Sequence, residues 1–145
     1  MADAEKLICW DSQDIFAIGI RLKTPGGQFH AETEEPVELD TGYGGDVLLP
    51  WEMYVDLELY GWECPEEHWS VGLSVSGEKF EMPLSRGVLV VPRLGHEFDV
   101  RIETFEGNEQ FLIGRGFIRR HKILLDGPGS RVCFFADEAE FQNLG

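Results

Sequence analysis

Residues Val37 to Pro50 read VELDTGYGGDVLLP. A strand-like run breaks at Asp40-Thr41-Gly42, Gly44, Gly45 and Asp46 follow, and a new apolar run begins at Val47. Aspartate and glycine are ordinary turn residues, so a tight turn is the simplest account of this break. The alternative is that Asp40 is a carboxylate held on a loop for chemistry. The rest of the chain has to decide between the two.

At 145 residues the chain is expected to be one domain with a real core, and 43% hydrophobic and 12% aromatic residues supply the material. A net charge of -15 argues against a nucleic-acid or anionic-membrane surface. No apolar run approaches the roughly 20 residues of a membrane span. The opening MADAEKL lacks the basic-then-apolar order of a signal peptide. Cys9, Cys64 and Cys133 are odd in number and widely spaced, which suggests free thiols in a reducing compartment and makes the cytoplasm the expected location.

Strand signals dominate. Ile15 to Lys23 is followed by a Pro25-Gly26-Gly27 turn, and Gln28 to Leu39 returns as a second strand interrupted by an acidic Thr33 to Pro36. Pro50 to Tyr60 reads as a helix with proline at its first position and Gly61 past its end, although Val55, Leu57 and Leu59 also alternate as a strand would. Trp69, Val71, Leu73 and Val75 alternate up to a Ser76-Gly77 hairpin turn, and Lys79 to Leu84 returns. Further strands are expected over 87–91, 97–105, 111–113, 123–125 and 131–135, with a helical turn in Phe117 to Lys122. Many short strands and at most two short helices mean an all-β barrel or sandwich.

About seventy residues after Asp40 comes a second pattern, Phe111-Leu-Ile-Gly-Arg115-Gly-Phe-Ile118: three apolar residues, a glycine and the start of a helix. Together the two patterns resemble the retropepsin-like aspartic proteases, and DTGYGGDVLLP looks like the bacterial single-lobe members. The resemblance covers roughly residues 15 to 135, most of the chain. It implies a closed acid-protease barrel over 15–135, an N-terminal extension over 1–14 and an acidic tail over 136–145. It also implies a catalytic Asp40, an active-site loop with Thr41 and Gly42, a flap tip at Ser76-Gly77, and a supporting loop of Ile113, Gly114 and Arg115. Neither a metal nor another cofactor is implied.

The chemistry asks for such residues. Hydrolysing a peptide without a metal or a covalent intermediate needs one carboxylate to activate water and one acid to polarise the carbonyl. Two close carboxyls share a proton and serve both roles, as the general case of aspartic proteases illustrates. This chain has a single Asp-Thr-Gly, so both acids require two chains related by a two-fold axis. A homodimer acting on a peptide or protein substrate is therefore expected. The rival is a non-catalytic module of the same fold, in which a peptide adds as a strand beneath the flap. Retroviral members carry an acid two positions after the Asp-Thr-Gly glycine, paired with the arginine of Gly-Arg. Here that position is Gly44, Arg115 is present, and Asp46 is the candidate substitute partner.

Cys64 and His68 offer half a metal site with no second pair of ligands near them in sequence. Arg115, Arg119, Arg120 and Lys122 form a basic cluster that reads as a solvated helix end. No Ser-His-Asp set or phosphate-binding glycine loop is legible.

Overall fold

The computed structural model describes residues 6–136, which form eleven strands and two short α-helices. In order they are β1 (Lys6–Asp11), β2 (Ala17–Lys23), β3 (Glu35–Leu39), β4 (Val47–Leu48), α1 (Trp51–Asp56), β5 (Ser70–Leu73), β6 (Lys79–Met82), β7 (Leu84–Val91), β8 (His96–Glu103), β9 (Leu112–Ile113), α2 (Arg115–Ile118), β10 (Ile123–Asp126) and β11 (Arg131–Ala136). Six strands close a barrel in the order β2-β3-β9-β4-β8-β7. The all-β barrel with two short helices expected from the sequence is what the chain forms.

Alternation built the long ribbon. In β8, Phe98, Val100 and Ile102 are buried while Glu97, Asp99 and Arg101 are exposed, and β7 buries Leu89 opposite Phe98 and Val91 opposite His96. Ile18, Ile20 and Leu22 of β2, Val37 of β3 and Ile113 of β9 complete the same core. A strand over Gln28 to Leu39 was expected, but the continuous ladder with β2 covers only Glu35–Leu39, and Phe29 adds an isolated bridge to Lys23. Upstream, Leu22 donates its N–H to His30 Nδ1 at 2.8 Å, so a side chain takes the place of a ladder bond there.

Pro50 to Tyr60 is a helix only over Trp51–Asp56, with Pro50 as its N-cap. Glu58 then takes a left-handed φ of 55°, and a 3-10 turn follows over Leu59–Trp62. Breaking the helix there buries both Leu57 and Leu59. The second helix begins at Arg115, earlier than the Phe117 start expected.

Lys6–Asp11, inside the stretch read as an extension, pairs along its length with β11 in a separate three-stranded sheet, β1-β11-β10. The acidic tail lies outside the described residues apart from Ala136. Cys9 and Cys133 are direct partners in the β1–β11 ladder and form a disulfide across it. The expectation of three free thiols is thereby corrected: Cys64 is free, and the thiol argument for a reducing compartment fails for the other two. Among the described residues no helix is long and apolar enough to cross a membrane.

Candidate active site

β3 and β4 do not pair with each other, because β9 lies between them. β9 runs parallel to β3 (Leu39 opposite Ile113) and antiparallel to β4 (Val47 opposite Ile113). Asp40 to Asp46 must therefore cross over the C-terminal end of β9, where α2 begins. The glycines answer to that crossing. A Cβ at Gly114 would stand 2.3 Å from Gly45 O and 2.6 Å from Tyr43 O, and one at Gly116 would stand 2.3 Å from Asp46 Oδ1. A Cβ at Gly45 would meet the Tyr43 hydroxyl at 2.3 Å. Backbone passes directly over backbone here, and only glycine leaves room.

The crossing is also a hydrogen-bonded clamp. The first N–H groups of a helix have no partner within it, and α2 has no side-chain cap. Loop carbonyls supply the acceptors: Gly114 N–H donates to Asp46 O at 2.9 Å, Arg115 N–H to Tyr43 O at 2.8 Å, and Gly116 N–H to Gly45 O at 3.0 Å. On the other side of the loop, Asp40 N–H donates to Ile113 O at 2.8 Å. The structure thus brings Asp40, Thr41 and Gly42 together with Ile113, Gly114 and Arg115.

Asp40 is half-buried at the start of this loop, and Thr41 and Gly42 are exposed. Gly42 N–H donates to Asp40 Oδ1 at 2.7 Å, while Tyr43 N–H reaches Asp40 O at 3.2 Å. One carboxylate oxygen is fixed by backbone, and no protein donor among the described residues holds Oδ2. A fixed carboxylate with one oxygen open to solvent can accept a proton from a bound water.

Two side chains anchor the loop, the half-buried Tyr43 and the buried Asp46, and the sequence reading gave neither its place. Tyr43 donates its hydroxyl to Glu103 Oε1 on β8 at 2.5 Å. Burial and then this hydrogen bond push the phenol far above its ordinary pKa, so it stays a donor. Asp46 is buried, and its Oδ2 accepts both Arg101 N–H and Arg120 Nη2 at 2.9 Å. Asp46 therefore pairs with Arg120, which corrects the expected Asp46–Arg115 pair. Arg115 is exposed and lies over Gly44, its Nη2 3.2 Å from where a Cβ at that position would stand.

The basic cluster is likewise no simple solvated helix end. Arg120 folds back, with Nε on Gly116 O at 3.2 Å and Nη1 on Asp99 O at 3.0 Å. His121 packs against Phe98, Phe117 and Phe134 with centroids 5.0, 4.5 and 5.3 Å away. Burial and then the Arg120 charge lower its pKa to about 4, so it is neutral at pH 7. Arg120 is the member that departs from the solvated description, since Arg115, Arg119 and Lys122 are exposed. Asp126 is bound in its own turn: Arg131 Nε and Gly129 N–H each donate to it at 2.9 Å, and those two bonds, the arginine's first, lower its pKa.

Ser76 and Gly77 stand apart, on the two-stranded sheet β5–β6. Ser74 N–H donates to Glu78 O at 2.8 Å, and Gly77 N–H donates to Ser74 O at 2.9 Å. The loop is thus Val75-Ser76-Gly77, three residues rather than two, with glycine at the left-handed position (φ 85°). Val71, Leu73 and Val75 are exposed on one face of this hairpin. Cys64 and His68 gather no further ligands: among the described residues no three His, Cys, Asp or Glu side chains come together to hold a metal.

No family model and no curated protein sequence matches the chain. Among solved structures it is similar to a retropepsin-like aspartic protease from Rickettsia conorii, with a TM-score of 0.50 at 13% sequence identity, over 91% of this chain and 95% of that one. At that identity the likeness is one of architecture alone. The chain has the fold of the retropepsin-like aspartic proteases.

Proposed function

We propose that the protein is an aspartic endopeptidase that works as a homodimer, with one Asp40 from each chain flanking the attacking water. The observation that carries this reading is the solitary loop itself: Asp40 is fixed at Oδ1 by Gly42 N–H, open at Oδ2, and half-exposed. Other acids suggested by the sequence as a second carboxyl are already engaged, Asp46 by Arg120 and Asp126 by Arg131. A second chain supplies the missing acid by symmetry. In that dimer Thr41 braces the two loops across the axis, and the paired acids divide the roles of base and acid between them.

Mass action tests the shared site. Specific activity on a peptide library should fall steeply once the protein is diluted below its dimer dissociation constant. Excess Asp40→Asn chain mixed with wild type should also suppress turnover through heterodimers. Constant specific activity in a protein shown by sedimentation to be monomeric would sink the proposal.

The β5–β6 hairpin is our candidate for the flap that closes over substrate, with its apolar face of Val71, Leu73 and Val75 turned to the peptide. Gly77→Val places a β-branched residue at φ 85°, where L residues are strained by roughly 1–2 kcal/mol. Nothing lies within 4 Å of a Cβ there, so the strain stays local to the tip. Turnover should drop several-fold while the melting temperature moves by only a few degrees. Parallel loss of both, or of neither, would place the flap elsewhere.

A further inference from the structure

Arg86 on β7 and Arg101 on β8 are direct cross-strand partners, and both are exposed. Like charges in that relation are destabilising, whereas an acid at either position would gain about 0.2–1 kcal/mol. The chain holds 27 Asp and Glu against 12 Lys and Arg, so an arginine facing an arginine runs against its composition. Among the described residues neither guanidinium has a carboxylate within 4.0 Å.

The pair lines a cleft of about 620 Å³ that is also walled by Cys64, Pro65, His68 and Arg120. Two carboxylates reach it, Asp46 and Asp99. Asp46 is committed: its Oδ2 takes Arg120 Nη2 and the backbone N–H of Arg101, not a guanidinium of the pair. Asp99 is exposed and offsets part of the remaining charge. With three arginines against two aspartates, the cleft keeps a positive excess on a chain of net charge -15. At physiological salt charges are screened beyond about 8 Å, so an incoming anion responds to the cleft more than to the distant acidic surface.

We propose that this cleft binds an acidic peptide segment, whose carboxylates are taken by Arg86 and Arg101. A guanidinium presents paired N–H donors that match the two oxygens of a carboxylate, and two such forks side by side suit neighbouring Asp or Glu side chains. Asp40, Thr41 and Gly42 do not line the cleft, which touches their loop only at its far end, Asp46, so it is an accessory site beside the proposed catalytic one. Under the protease reading the segment is a part of the substrate outside the scissile bond. Binding itself does not depend on that reading.

The test is fluorescence anisotropy with the full chain carrying Asp40→Asn, so that no probe is cut. The probes are a labelled Glu-rich dodecapeptide and its Gln counterpart. The Glu peptide should bind at least ten-fold more tightly, and its affinity should fall as salt rises. Arg86→Ala with Arg101→Ala should remove that preference, whereas Arg119→Ala, exposed and outside the cleft, should preserve it. If the double alanine variant does not fold, Arg86→Gln with Arg101→Gln takes its place and should remove the preference equally. Equal binding of the two peptides, or equal loss in Arg119→Ala, overturns the proposal. Displacement of the peptide by sub-millimolar inorganic phosphate also overturns it, assigning the cleft to a small oxyanion. Failure of wild type to cleave any peptide would remove the protease reading and leave this binding result intact.

Discussion

Asp40→Asn should bring peptide cleavage to background while the chain keeps its fold and its association. Asparagine retains an Oδ1 that accepts the Gly42 N–H now bonded at 2.7 Å, so the loop loses no hydrogen bond. Asp40 is half-exposed, and its removal leaves no buried counter-charge behind. What disappears is the group that takes and returns a proton, a function that contributes on the order of 10²- to 10⁴-fold in rate. Turnover, melting temperature and sedimentation of the purified variant separate these effects. An Asn variant with wild-type turnover would show that Asp40 is not the acid. Asp46→Asn offers the contrast: it strips the charge from a buried partner of Arg120 and Arg101, and should lower stability before it touches chemistry.

Gly114→Ala should be the most damaging small substitution in the chain. Its methyl would sit 2.3 Å from Gly45 O and 2.6 Å from Tyr43 O, the carbonyls that accept the N–H groups of Gly116 and Arg115. These are backbone atoms and cannot swing aside as a side chain would. The loop and α2 would have to separate, giving up the bonds that cap the helix. Overpacking of this kind costs about 3 kcal/mol or more when the neighbours are rigid, which for a domain of this size lowers the melting temperature by roughly 10 °C. Gly61→Ala is the control, since nothing lies within 4 Å of a Cβ there, and it should change stability by less than about 0.5 kcal/mol. If the two variants melt together, the crossing is looser than its glycines indicate.

What the sequence revealed follows the range over which its signals act. Alternation and turn residues are local, and they located the β5–β6 hairpin, the β7–β8 ribbon and the turn before β11. The Asp-Thr-Gly loop was legible because its unusual residues are contiguous. Pairings that join distant segments left no such trace. Tyr43 meets Glu103 sixty residues away, and Arg120 meets Asp46 across seventy-four. Nothing in the intervening stretches encodes either separation, so Asp46 was offered to Arg115 only because it lies two residues beyond Gly44, where retroviral members carry the acid. β1 was missed for the same reason: KLICWD has no clean alternation, and its partner strand begins at Arg131.

The Cys9–Cys133 bond has a consequence of another kind. It spans 124 residues and encloses the whole barrel, the carboxylate loop and the exposed β5–β6 hairpin within one covalent ring. A single backbone cut anywhere inside that ring opens it without releasing a piece. A molecule that met an active copy of itself, and was nicked at the hairpin tip, would keep its mass, and its two halves would stay tethered for re-association. Such nicks pass unseen until the disulfide is reduced, and only then do two fragments part. For a chain proposed to pair with its own kind and cut peptides, the ring turns self-cleavage from fragmentation into a scar that the fold can carry.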